Sequence, residues 1–258
     1  MRPLSDWHPS RDIVGVFTDI DDTLTTEGAI TPDALQALAD LKAAGLHVVP
    51  ITGRPVGWSE PFAQSWPVDA IVAENGAVGL TCSSAQGLRK LYQQDADTRK
   101  ANFTRMHTVL TAIERHVPGA QRSQDSAGRE TDIAIDHSEF THLPQSAIDD
   151  VLRIMHDAGM TATVSSIHIN GWFGEHSKLT GARWIVRELW DRDLDAEMVR
   201  WVYVGDSTND QVMFAHFAHS VGVANVQRFA DQLTHPPRYI TQGERGAGFA
   251  EMARQLLG

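Results

Sequence analysis

The chain is 258 residues long, 42% apolar and 21% charged, enough apolar material for one large or two modest packed domains and unlike a disordered or fibrous chain. With 33 acidic against 22 basic residues the formal net charge is -11, and the basic residues are scattered. This excludes a nucleic-acid binder, which grips phosphate backbones through clustered Lys and Arg, and a phosphate ester would need a local cation to overcome the overall field.

In chain order, residues 13–18 (IVGVFT) form an apolar run without alternation, as expected of a strand buried on both faces of a parallel sheet. The run ends at Asp19-Ile20-Asp21-Asp22. Thr31-Pro32 reads as a helix start, with Thr31 as N-cap and Pro32 in the first turn; Leu35, Leu38 and Leu41 follow at helical spacing and Gly45 is the stop. Residues 46–51 (LHVVPI) read as a second strand ending at Thr52-Gly53-Arg54, and residues 69–73 as a third, closed by the turn-forming Glu74-Asn75-Gly76. Strand, helix, strand with short connections predicts a right-handed βαβ unit, whose ligands gather outside the carboxyl ends of the strands. The Asp19 and Thr52 clusters would then lie side by side.

The middle of the chain reads differently. A long polar helix over about 90–116, a strand at 131–135, a helix at 145–158 and an alternating strand at 161–169 suggest an α+β module with a mostly antiparallel sheet. It is expected at 79–176, inserted into an α/β core made of 1–78 and 177–258. The core pattern resumes with a helix over 177–189 carrying Lys178 at its start and a strand at 200–204 (RWVYV). Gly205-Asp206-Ser207-Thr208-Asn209-Asp210 caps that strand; a helix, a strand at 220–223 and a closing helix at 248–257 follow. Cys82, the single cysteine, rules out an intramolecular disulfide and reads as a partly buried small residue. Residues 1–11 lack the apolar run of a signal peptide, and no segment reaches the ~18 apolar residues that span a bilayer. A cytoplasmic protein is expected, monomer or homodimer, with no membrane partner.

Four clusters fall at strand ends or a helix start: Asp19 with Asp21, Thr52-Gly53, Lys178, and Asp206 with Asn209 and Asp210. Phosphoryl transfer needs a cation and positioned donors around an anionic group. A hard dication such as Mg2+ takes oxygen ligands, which Asp19, Asp206 and Asp210 could supply. Asp19 could also be the nucleophile of an acyl-phosphate route. Asp21, two residues on and on the same side of an extended backbone, could then be general acid and afterwards base. The Thr52 hydroxyl and Gly53 N–H could hold phosphoryl oxygens, and Lys178 could add a point charge. Taken singly, each cluster has a structural reading as a turn, a cap or a solvated Lys. Their joint appearance in this order favours chemistry.

Asp19-Ile20-Asp21-Asp22-Thr23-Leu24, Thr52-Gly53-Arg54, Lys178 and Gly205-Asp206-Ser207-Thr208-Asn209-Asp210 resemble, in order, the four motifs of the haloacid dehalogenase (HAD) superfamily. The resemblance implies a Rossmann-like parallel-sheet core and an Mg2+-dependent phosphatase acting on a small phosphorylated metabolite. It implies Asp19 as nucleophile, Asp21 as acid/base, Thr52 and Lys178 as phosphate binders and Asn209 as a phosphate or substrate contact. Asp19, Asp21, Asp206 and Asp210 would make the metal site. Asp21 argues against the dehalogenase branch, which lacks the second aspartate and the metal, and against the ATPase branch, where a Thr usually stands in its place. An insertion between Thr52 and Lys178 is where the type II caps lie. Glu74-Asn75-Gly76 and the GDxxND form of the last motif are similar to subgroup IIB, which includes phosphatases of sugar, flavin and pyridoxal phosphates and phosphomannomutase. Caps there often carry an acidic residue on the last strand, whereas this chain reads Ile167-His168-Ile169-Asn170-Gly171-Trp172, so a relative's substrate is not carried over.

Such a cap would close over the core and read the leaving group. Arg54, Asn75, Arg129 and His168 are the candidate contacts, with Glu130, Asp132, Asn170, Trp172 and His176 nearby; each has the alternative of an ordinary cap-sheet residue. A guanidinium at Arg129 suits a carboxylate or a hydroxyl cluster, and Arg54 either meets substrate or braces the cap. Trp184, Trp190 and Trp201 read as core. Competing functions are a phosphomutase or phosphotransferase using the same intermediate, and a non-catalytic binding protein that kept the fold.

Overall fold

The computed structural model describes residues 1–9 and 11–258. Gly15–Thr18 and Trp201–Gly205 are buried at every position and His47–Pro50 at three of four, so both faces of these strands need cover. They form the centre of a six-stranded parallel sheet in the order Arg2–Pro3, Tyr239–Ile240, His219–Gly222, Trp201–Gly205, Gly15–Thr18, His47–Pro50. Alternate side chains enter two cores. Val16, Val48, Val202 and Val204 pack with the helices Pro32–Ala43 and Arg245–Leu257, while Phe17, Val49, Trp201 and Tyr203 pack with Lys178–Trp190. Each such burial is worth roughly 1.5–3 kcal/mol, and a one-residue slip would exchange the two sets, so the register is firmly specified. Pro32 opens its helix as expected, but the Thr31 hydroxyl makes no capping bond, and Leu35 is exposed while Leu38 and Leu41 are buried.

A parallel bridge from Ile51 to Val72 attaches the strand Ile71–Ala73, which pairs antiparallel with Val78–Ser83 and through it with Gly87–Tyr92. The helix expected from about residue 90 therefore starts later. It runs Ala96–His116, with the Asp95 side chain accepting from the Thr98 N–H. Leu80, Leu88 and Tyr92 pack on the first core, so we place the start of the inserted module after Tyr92 rather than at residue 79. Cys82 lies at the far end of this hairpin, opposite Leu88, and is exposed rather than partly buried.

The module has its own four-stranded antiparallel sheet, ordered Thr161–Val164, His168–Trp172, Ile133–Asp136, Gln121–Arg122. The single strand expected at 161–169 is thus a hairpin. The Ser165 hydroxyl accepts from the Ile167 and His168 N–H groups and reverses the chain. Ile133, Ile135 and Ile169 pack with the helices Ala96–His116 and Gln145–Asp157 in a third core. Asp132, His168 and Asn170 lie on the other face, which meets the carboxyl ends of the parallel strands.

Trp172 and His176 belong to the packing of the module. The Trp172 indole donates to the His176 carbonyl at 3.0 Å, and the two rings stack with centroids 5.2 Å apart. Both His176 ring nitrogens are buried without a hydrogen-bond partner, and burial lowers its pKa from the ordinary 6.5 to about 4. The unfolded imidazole takes up a proton near the ordinary value and the folded one only near the lowered value. The stability is therefore complete above the first pH and falls as pH drops through the window, by about 2 kcal/mol at pH ~5. His176→Phe should remove this loss. Urea unfolding at about pH 8 and pH 5 checks it: the difference between variant and wild type should grow in the variant's favour at the lower pH.

Candidate active site

Because Gly15–Thr18 lies between Trp201–Gly205 and His47–Pro50, the residues that follow these strands, Asp19, Asp206 and Thr52, emerge side by side. Asp19, Asp206 and Asp210 are all buried, and one carboxylate oxygen from each lies within 4.8 Å of the others. The buried Lys178 ammonium donates to Asp19 Oδ1 at 2.6 Å and to Asp210 Oδ1 at 2.7 Å. The Tyr203 hydroxyl donates to the same Asp210 oxygen.

Local sequence explains each placement. Lys178 sits in the first turn of its helix because Ser177 caps it: Ser177 Oγ accepts from the Thr180 N–H and Thr180 Oγ1 from the Ser177 N–H. The Glu74–Gly76 turn presses against that cap, with left-handed φ values of 50°, 55° and 112°. A Cβ on Gly76 would lie 2.2 Å from the Ser177 carbonyl oxygen, so both the backbone and the space require glycine. At the other wall, a Cβ on Gly205 would lie 2.4 Å from Asp210 Oδ2. That oxygen accepts from the Asp206 and Ser207 N–H groups at 2.9 and 3.1 Å, folding the loop back on itself.

Three buried carboxylates face one ammonium. Burial is the main cause that pushes Asp19 up to about 7, against the attraction of Lys178 and with the repulsion of Asp210 and Asp21. Burial, then the charges of Asp19, Asp210 and Asp22, holds Asp206 well above the usual carboxylate range. Lys178 is raised in spite of burial because Asp19 and Asp210 flank it. The cluster is short of positive charge, and an all-oxygen donor set of this kind fits a hard dication. Asn225 completes one side, donating to Asp206 Oδ2 at 3.1 Å and to the Asp22 carbonyl at 2.9 Å. The sequence reading passed over Asn225; its one signal is an amide just past the carboxyl end of a parallel strand.

The Asp21 side chain is not among the three clustered carboxylates. Arg54 holds it, with Nη2 at 2.9 Å and Nε at 3.0 Å from its oxygens. The same guanidinium reaches Glu139 at 2.8 Å and Asp125 at 3.2 Å, both from the inserted module, and His168 Nε2 lies 2.8 Å from Glu139. Arg54 therefore braces the module against the core.

Thr52 is fully buried and its hydroxyl accepts from the Arg54 N–H. The Gly53 carbonyl accepts from Arg129 Nη1 at 3.0 Å and from Asn170 Nδ2 at 3.3 Å. Asn75, Asn170 and Arg129 all donate to the buried Asp132, which burial pushes up to about 7 despite Arg129. Arg129 and Asn75 thus clamp the loop after the second strand through Asp132, while Asn75 also lines a cavity of about 430 Å3 with Lys178 and Asn209. Glu74, also missed, is fully buried and accepts from the N–H groups of Val56, Glu130 and Thr131, so it stitches the module to the core. The Glu130 side chain is engaged by Lys90 and Tyr92. Asp19, Asp21, Arg54, His168, Asn170 and Asn209 do converge, on a cavity of about 10 Å3, room for a single water.

Residues 16–108 match the family of haloacid dehalogenase-like hydrolases. A Streptococcus pyogenes serotype M6 protein named as a candidate phosphatase is 22% identical over 94% of this chain and 97% of its own. Over residues 16–108 the chain is thus similar to the haloacid dehalogenase-like hydrolases. Among solved structures, the sucrose-phosphatase of Synechocystis, in complex with sucrose and phosphate, superposes with a TM-score of 0.67 at 16% identity, over 96% of this chain and 98% of that one. A subclass IIB sugar phosphatase of the HAD superfamily gives 0.63 at 14%, over 94% and 96%. At these identities the likeness is one of fold, a parallel-sheet core carrying an α+β module. Among its described residues the chain has no helix long and apolar enough to cross a membrane.

Proposed function

We propose that this chain is a HAD hydrolase, an Mg2+-dependent phosphatase that cleaves a small phosphate monoester, a sugar phosphate or similar metabolite, through an aspartyl-phosphate on Asp19. The observation that carries the reading is the buried Asp19–Lys178–Asp210 pairing at the carboxyl edge of the parallel sheet, with Asp206 beside it. The sugar-phosphate class is supported by the likeness in fold to a sucrose-phosphatase and a subclass IIB sugar phosphatase. Asp19, Asp206 and Asp210 would hold the metal ion, which would supply positive charge next to the phosphoryl oxygens.

The residues divide the reaction into two displacements. An Asp19 carboxylate oxygen bonds to phosphorus as the ester P–O bond breaks, and Asp21 gives its proton to the departing oxygen. Asp21 then takes a proton from water; the water oxygen bonds to phosphorus, the P–O bond to Asp19 breaks, and inorganic phosphate leaves. Lys178 neutralises charge beside Asp19, while Thr52, Gly53 and Asn209 orient the phosphoryl oxygens. With Asp21 held by Arg54 and a cavity of about 10 Å3 where the core loops meet the cap, an ester gains room beside Asp19 as the cap moves off the core and releases Glu139 and Asp125 from Arg54. A cross-link between residues 164 and 208, whose backbone carbonyl and hydroxyl are hydrogen-bonded across the two parts, should therefore stop turnover. Unchanged turnover after cross-linking would rule out cap opening.

Phosphate release over a panel of phosphorylated metabolites tests the function. Release should be sustained over many turnovers without a bisphosphate activator, stop in a chelator and return with Mg2+. A chain inert on the whole panel, or one that moves phosphate only between positions of a sugar, would turn the reading toward a binding protein or a mutase.

A further inference from the structure

We infer that the cap carries a second ligand site, for a small organic anion with a flat ring, in the cleft between the helix Ala96–His116 and the segment 121–130. Two cavities share this cleft. One, of about 460 Å3, is lined by Phe103, His107, Arg122, Ser123 and Arg129 among others. The other, of about 480 Å3, is lined by Arg99, Lys100, Phe103, Arg129 and Glu130. Both have the size of small-molecule sites, and neither is lined by Asp19, Asp21, Lys178 or Asp206.

The charge is unusual for this chain. In a protein of net charge -11, Arg99, Lys100, Arg122 and Arg129 line the cleft against Glu130 and Asp132. Arg122 is already matched by Glu114, and Glu130 by Lys90. Lys100 is exposed and makes no ion pair among the described residues. Arg129 is 5% exposed, and its Nε is buried without a hydrogen-bond partner. A charged donor left unsatisfied in the interior is costly, and an acceptor arriving through the cleft would relieve it. Phe103 stands at both cavities, 42% exposed, with its ring centroid 4.1 Å from that of His107. An exposed aromatic face beside cations suits a flat ring that bears a carboxylate or phosphate.

Such a ligand would reach the catalytic loop through one residue. Arg129 Nη1 holds the Gly53 carbonyl at 3.0 Å and Asp132 at 2.8 Å, so an anion that draws on Arg129 acts on the segment proposed to seat the phosphoryl group. The site would thus be an effector site, coupled to turnover. This coupling rests on the phosphatase reading, whereas the binding itself does not.

Isothermal titration calorimetry with 1-naphthoate, a flat anion without a phosphoryl group, tests the binding on wild type and on the double variant Lys100→Ala/Phe103→Ala. Both substitutions are at exposed positions, and a thermal melt confirms the fold. One site is expected on wild type, weakened at least about tenfold in the double variant. In phosphate-release assays naphthoate should shift the wild-type kcat, and the double variant should keep its basal rate but lose the shift. No heat with wild type at millimolar ligand, or equal affinity in both proteins, overturns the site. Binding that passes the first test but leaves kcat unmoved overturns the effector role. If the chain proves to have no phosphatase activity, the calorimetry still decides the site.

Discussion

Asp19→Asn should leave the chain folded and lower phosphate release by roughly 10^4-fold or more. The amide keeps the size of the side chain, and its oxygen can still accept from Lys178 as Asp19 Oδ1 does at 2.6 Å. The backbone bond from the Asp19 N–H to the Val204 carbonyl, which fixes the end of the strand, is untouched. What disappears is the nucleophile. Stability should hold, because Lys178 retains its contact with Asp210 at 2.7 Å, and the substitution removes one of the buried negative charges that repel one another. A thermal melt and a phosphate-release assay on the same preparation separate the two effects. A variant within about tenfold of wild type would remove Asp19 from the centre of the mechanism.

Lys178→Met carries the second large effect, and it acts on both stability and rate. The ammonium is buried between Asp19 and Asp210 and is their one cationic contact among the described residues. Taking one partner out of a buried ion pair leaves uncompensated charge, at a cost of about 3–5 kcal/mol. The Tyr203 hydroxyl still donates to Asp210 but brings no charge. Turnover should fall by roughly 10^2–10^3-fold, the scale of losing one preorganised electrostatic group. A dication held by the same carboxylates would replace part of the missing charge, so Mg2+ should raise the melting temperature of the variant more than that of wild type. Melts in chelator and in Mg2+ decide this. Equal stability of the two proteins in chelator would contradict the charge balance drawn for the cluster.

The catalytic grouping was legible in the sequence because its residues sit at fixed places in a rule-bound topology. Asp19, Thr52 and Asp206 each follow an apolar run, and parallel strands deliver their carboxyl ends to one edge. Lys178 was legible at the start of the helix read over 177–189. The contacts between cap and core were not, since they join residues far apart in the chain with no local pattern. Arg54 meets Glu139 across 85 positions, and Arg129 meets Gly53 across 76. An Arg or Glu that braces two parts reads in sequence like a solvated one, so the bracing by Arg129 and Asn75 has no sequence signal. The hairpin at Ser165 was hidden because its turn carries no Gly, Pro or Asn and the alternation continues across it. The strand Gly87–Tyr92 (GLRKLY) was not legible, and its last three residues fall in the helix read over about 90–116, because its neighbours are polar on both sides.

Trapping the covalent intermediate tests the central claim most directly. In Asp21→Asn an aryl phosphate, whose leaving oxygen needs no proton, should still load the enzyme, while the attack by water is slowed. After an acid quench, peptide mass mapping should find one phosphoryl group on the peptide that contains Asp19 and none in the Asp19→Asn/Asp21→Asn double variant. A phosphoryl group on another residue, or continued phosphate release with no labelled peptide, would contradict it.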